Sequence, residues 1–168
     1  MIPKPTYWTY AFFRNLKGNA VARSEYYIIT KDSMDGIYGI AWNPVEEKEE
    51  KEISLQISID LENGDYQMVT RLVDENTCNP LKDWITIGSP SNLTKEQKEL
   101  LLESAKPLVK IKRLSVTEKK ANFEIPLSSN ALCSFEIQRI CSETDRGFRS
   151  ERIRGAGENS LASNSLNA

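Results

Sequence analysis

Residues 53–60 read ISLQISID, and the alternation of that stretch decides the fold class. Ile53, Leu55, Ile57 and Ile59 fall on one face, while Ser54, Gln56, Ser58 and Asp60 fall on the other. Side chains of a strand point to opposite faces in turn, so this segment reads as extended, with one face in a core and the other in water. The apolar face is mostly β-branched, which suits a pleated surface.

Working outward, the next turn chemistry is Asn63-Gly64, which reads as a hairpin returning through residues 66–73 (YQMVTRLV). Upstream, residues 25–31 (EYYIITK) and 37–43 (IYGIAWN) are apolar and β-branched, joined by the hairpin turn Asp32-Ser33-Met34-Asp35-Gly36. Residues 46–52 (EEKEEKE) read as a charged, solvated connection. Further strands are expected at 108–116, at 122–127 with Phe123, Ile125 and Leu127 inward, and at 131–140 with Ala131, Cys133, Phe135 and Ile137 inward.

Two regions break this period. Residues 5–16 read as a helix that starts at Pro5 and ends before a capping glycine, Gly18. Tyr7, Trp8, Tyr10, Phe12 and Phe13 make it aromatic on all sides, so it needs covering on more than one. Residues 74–107 interrupt the sheet. There Asn79-Pro80 starts a helical turn carrying Leu81, Trp84 and Ile85, ended by Gly88-Ser89-Pro90. Thr94-Lys95-Glu96-Gln97 is a capping box that opens a second helix, stopped by Pro107. About seven strands at hairpin spacing argue for an all-β fold. The architecture expected is an antiparallel β-sandwich with an N-terminal helix and a short helical insertion. The polar tail 141–168 is expected to be disordered.

Composition excludes several functions. The net charge of -2 and pI near 5.4 supply no basic field, so no nucleic-acid partner is expected. No apolar run reaches membrane-spanning length, and the first residues lack a secretory pattern. The three cysteines, Cys78, Cys133 and Cys141, form neither a paired framework nor a metal-ligand spacing, which favours a reduced, cytoplasmic chain. There is no histidine, which removes the usual general base and the commonest zinc ligand. No metal or cofactor is expected.

Carboxylate chemistry needs no histidine, and glycoside hydrolysis needs only two Asp or Glu side chains flanking one bond. Asp74, Glu75 and Asp83 lie in the irregular region and Asp32 and Asp35 in a turn, where solvation and turn chemistry already explain them. Trp42 and Trp84, with Tyr26, Tyr27 and Tyr38, are candidate sugar-stacking rings, although aromatics in a strand more often serve packing. Asn92-Leu93-Thr94 fits a glycosylation pattern, but Thr94 is better explained as a helix cap. On the residues alone there is a sandwich and no active site.

Residues 73–107, VDENTCNPLKDWITIGSPSNLTKEQKELLLESAKP, resemble a segment of glycoside hydrolase family 39, which holds β-xylosidases and α-L-iduronidases. Val73-Asp74, Asn79-Pro80, Trp84, Gly88, Pro90, Thr94 and Gln97 match the family pattern in order and spacing, and Leu93 stands where proline is usual. Residues 4–16 (KPTYWTYAFFRNL) are similar to the last helix of the family's catalytic barrel. Residues 25–31 and the IAWN run look nearer to the bacterial β-xylosidases.

The resemblance implies residues 1–18 as a remnant of the barrel's C-terminal helix, 19–140 as an accessory β-sandwich and 141–168 as the tail. It implies a parent enzyme that is a retaining glycosidase, releasing xylose from xylo-oligosaccharides on a (β/α)8 barrel. Its two glutamates would lie upstream of the matched segment. No Asn-Glu-Pro triplet occurs here, so no catalytic residue is carried over and the chain alone is expected to be inactive. The implied partner is a glycosidase barrel, in cis or in trans, with a homo-oligomer as the other assembly an uncovered aromatic helix allows. The alternative is a free-standing carbohydrate-binding module that uses Trp42 or Trp84.

Overall fold

The computed structural model describes residues 2–46 and 51–140. The tail 141–168 with Cys141, and residues 47–50 of the charged connection, lie outside the described residues. The chain runs α1 (Pro5–Arg14), β1 (Asn19–Arg23), β2 (Tyr27–Lys31), β3 (Ile37–Trp42), β4 (Ile53–Asp60) and β5 (Gly64–Val73). It continues through α2 (Pro80–Thr86), α3 (Lys95–Ser104), β6 (Leu108–Val116), β7 (Lys120–Leu127) and β8 (Leu132–Arg139).

Strand β4 behaves as its alternation demands. It pairs antiparallel with β7 in a register that sets Ile53, Leu55 and Ile57 opposite Leu127, Ile125 and Phe123. Apart from the exposed Pro126, every apolar side chain of this two-stranded sheet therefore shares one face. That face packs on a six-stranded antiparallel sheet of order β1-β2-β3-β8-β5-β6. Ile29, Ile37, Met68, Phe135 and Ile137 supply the opposing wall, and all are buried. Each such side chain is worth about 1.5–3 kcal/mol in burial, so this layer carries most of the folding drive. The expected all-β sandwich is present.

Asn63-Gly64 does not close a hairpin. Strands β4 and β5 belong to different sheets, β4 pairing with β7 and β5 with β6 and β8. The turn residues instead anchor a crossover. The Asn63 side-chain oxygen accepts from the Lys119 N–H at 2.8 Å, and its carbonyl accepts from Arg139 at 3.1 Å. Gly64 has φ +151°, which most side chains avoid. The Asn-Gly pair reverses the chain as expected, but burial of both apolar faces decides which strands pair.

There are eight strands among the described residues, one beyond expectation. The extra one, β1, is almost wholly exposed, so no alternation marks it; its ladder with β2 holds it, with a bulge between Ala20 and Ala22. Helix α1 stops at Arg14, and Asn15, not Gly18, provides its C-cap. Gly18, at φ +76°, instead turns the chain into β1, where a Cβ would lie 1.9 Å from the Lys31 carbonyl oxygen. The 32–36 turn closes as expected, with the Asp32 carboxylate accepting from the Met34 and Gly36 N–H groups.

Helix α1 forms a third layer on the outer face of the six-stranded sheet. Phe12 packs with Ile40, Val73 and Cys78, flanked by Trp8, Leu16, Ile28, Trp42 and Leu132.

Candidate functional site

Proline at the first turn sets φ for helix entry, and Phe12, only 2% exposed, locks the helix to the sheet. Trp8 stacks at 6.0 Å from Phe12, and its indole N–H donates to the Ala105 carbonyl at 2.9 Å. The other side of the helix is bare. Tyr7, Tyr10 and Phe13, spaced three apart and so near neighbours on one surface, are 56%, 75% and 46% exposed. A helix aromatic all round is thus covered by the sheet and by the 73–107 segment, with Tyr7 and Tyr10 left outward.

The 73–107 segment forms a collar beside this helix, and its motif residues each have a local task. The Asp74 carboxylate accepts from the Asn76 and Thr77 N–H groups and the Thr77 and Ser128 hydroxyls. Burial pushes its pKa up, but these bonds outweigh burial and hold it below the usual carboxylate range. Asn79 caps α2 by accepting from the Lys82 N–H, with Pro80 at the first helical position. Gly88, at φ +91°, takes the chain away from α2. The Trp84 indole N–H reaches the Pro90 carbonyl at 3.2 Å and closes that loop. Thr94 and Gln97 form the reciprocal capping box of α3. Helix α3 ends at Ala105, whose carbonyl also receives the Cys78 thiol at 3.0 Å. Burial raises the Cys78 thiol to about 11, so it is not a ready nucleophile.

The two tryptophans singled out for sugar contact sit in separate surroundings. Trp42 ends β3 under α1, its ring 6.2 Å from that of Phe13, whereas Trp84 belongs to α2 and the Pro90 loop. Asp32 accepts from the Gly36 and Met34 N–H groups and the Tyr38 hydroxyl, which together lower its pKa. Asp35 pairs with Lys31 at 2.8 Å, Glu75 is exposed and Asp83 lies in the first turn of α2. Among the described residues no three His, Cys, Asp or Glu side chains gather around a possible metal position.

Sequence reasoning missed a polar crevice between the end of α1 and the sheet. Its cavity is about 220 Å³, walled by Asn15 and Lys17 on one side and by Arg71, Ser134 and Glu136 on the other. Arg71 and Ser134 are directly opposed on β5 and β8, and the Arg71 guanidinium pairs with the Glu136 carboxylate. The available signal was the second alternation of β8, in which Ser134 and Glu136 share the face that α1 covers.

The sequence profile of the glycosyl hydrolases family 39 matches residues 1–121. A beta-xylosidase of Geobacillus stearothermophilus is 30% identical over 146 residues, which is 85% of this chain and 28% of the relative. The GH39 enzyme from Xanthomonas axonopodis pv. citri superposes with a TM-score of 0.72 at 20% identity, covering 83% of this chain and 31% of that one. A monomeric beta-xylosidase from Caulobacter crescentus CB15 gives 0.71 at 18% identity, with 83% and 31% covered. At such identities the structural likeness establishes the fold alone. The chain spans 28% of the curated relative's length, so it corresponds to a portion of such proteins. With the profile match running from residue 1 through residue 121, over most of the chain, this protein belongs to glycosyl hydrolases family 39.

Proposed function

We propose that this chain is the C-terminal accessory β-sandwich part of a xylan 1,4-β-xylosidase-like retaining glycoside hydrolase. Its role is to buttress a catalytic barrel, not to cleave glycosidic bonds itself. In this reading α1 is the barrel's last helix, residues 19–140 are the accessory domain, and the catalytic carboxylates are supplied by the barrel, in the same chain or in trans. The similarity to a beta-xylosidase favours xylosides as the parent's substrates.

The observation that carries this reading is the bare face of α1, where Tyr7 and Tyr10 are more than half exposed while Phe12 on the sheet side is buried. Exposed clustered aromatics mark a surface that another body covers. The carboxylates Asp74 and Asp32 support the same reading, because turn hydrogen bonds already occupy them. Sedimentation of the purified chain mixed with the barrel portion of the Geobacillus relative tests it. A 1:1 complex is expected, weakened by Tyr7→Ser with Tyr10→Ser. Two independently sedimenting species would refute the buttress.

A further inference from the structure

We propose that the crevice between α1 and the outer face of the six-stranded sheet binds a small neutral polyhydroxy ligand, a single pyranose or a polyol of that size. The site lies on the opposite side of α1 from Tyr7 and Tyr10, so the inference does not depend on the accessory role. Drug-sized ligands occupy pockets of roughly 300–1,000 Å³. This cavity, at about 220 Å³, suits one sugar ring.

The lining chemistry selects the class. Glu136 offers acceptors only and Arg71 donors only, while Ser134 and Asn15 can do both. The Arg71–Glu136 ion pair uses one carboxylate oxygen, Oε1, and leaves Oε2 for a ligand. One hydroxyl of a vicinal diol can then donate to Glu136 while its neighbour accepts from Arg71. The pair also makes that wall neutral overall, which disfavours an ionised ligand. The Lys17 ammonium on the facing side lies over the Tyr38 ring at 5.0 Å, and its charge is partly offset by the Asp32 carboxylate on which it acts. Among the described residues the Ser134 hydroxyl and the Asn15 carboxamide have no hydrogen-bond partner, so both remain available at the wall and rim. Leu16, half-buried, contributes an apolar edge against which the C–H face of a sugar can rest.

The site is assembled by pairing, not by one loop. Glu136 stands opposite Tyr38 on one neighbouring strand and opposite Val69 on the other, and Ser134 stands opposite Ile40 and Arg71. Three hydrogen-bonded strands therefore hold the polar groups in fixed positions before any ligand arrives.

The test is amide-resolved NMR titration of the full chain with D-xylose and D-glucose, with ethylene glycol and inorganic sulfate as controls. Saturable shifts are expected at residues 15–17, 38–39 and 134–136 with a sugar and not with the controls. Ser134→Leu fills the crevice while keeping the ion pair, and should weaken binding about tenfold or more at unchanged secondary structure. If that variant fails to fold, Asn15→Ala on the exposed rim should still weaken it. No saturable shift with either sugar, shifts centred elsewhere, a response to sulfate alone, or unchanged binding in a folded variant would each overturn the proposal.

Discussion

The indole N–H of Trp8 donates to the carbonyl of Ala105, 97 residues later in the chain and 2.9 Å away. The last carbonyls of a helix have no partner within it, and Ala105 lies at the C-terminal cap of α3. The bond gives this carbonyl a second donor beside the Cys78 thiol and ties α1 to the collar. Trp8→Phe keeps the ring against Phe12 and removes only the donor. It should cost about 0.5–1.5 kcal/mol in urea unfolding and reduce hydrogen-exchange protection in α3. Unchanged stability and exchange would mean the collar is held elsewhere.

Gly39 makes room for Phe135, its direct partner across β3 and β8. A Cβ at Gly39 would lie 2.0 Å from Cζ of that buried ring. Gly39→Ala should therefore destabilise by about 1–3 kcal/mol through overpacking. Adding Phe135→Leu should recover part of the loss. A stable single variant would show that the ring can move aside.

Asp74 links stability to pH. Its carboxyl is held below the usual range in the fold, so the unfolded chain binds its proton more readily. The stabilisation is fully present above the unfolded aspartate pKa and is lost as pH falls through the folded value. Asp74→Ala should cost about 1–3 kcal/mol near neutral pH, since it unpairs two N–H groups and two hydroxyls. The gap from the parent chain should narrow in acid. A gap that stays constant in urea titrations at both pH values would assign the effect to packing alone.

Exposed aromatics predict self-association without a stability role. Tyr7→Ser with Tyr10→Ser should leave the unfolding free energy within about 0.5 kcal/mol. Dye binding and concentration-dependent sedimentation should both fall, because the sticky face is gone. A parent chain that is monomeric at all concentrations and binds no dye would contradict the exposed-face reading.

Much of this architecture is legible in the sequence because it is local. The alternation of β4 and β7 survives intact in their ladder, and the Thr94–Gln97 capping box forms as read. What stayed hidden depends on pairing between distant segments. Strand β1 carries no buried face to mark it, and Asn63-Gly64 carries the same turn chemistry whether the chain folds back or crosses to another sheet. The crevice is hidden for the same reason, since Arg71 and Ser134 meet only through the β5–β8 register. Trp42 and Trp84 stand out by residue type, yet the fold places them against Phe13 and Pro90 in different surroundings.

The most direct measurement is hydrolysis of a chromogenic β-xyloside by the purified chain, alone and mixed with a separately produced family 39 barrel. The account predicts no turnover by the chain alone and turnover gained on mixing, as expected of an accessory part that completes a glycosidase. Turnover by the chain alone would contradict it, because a carboxylate pair within these 168 residues would then have to carry the chemistry.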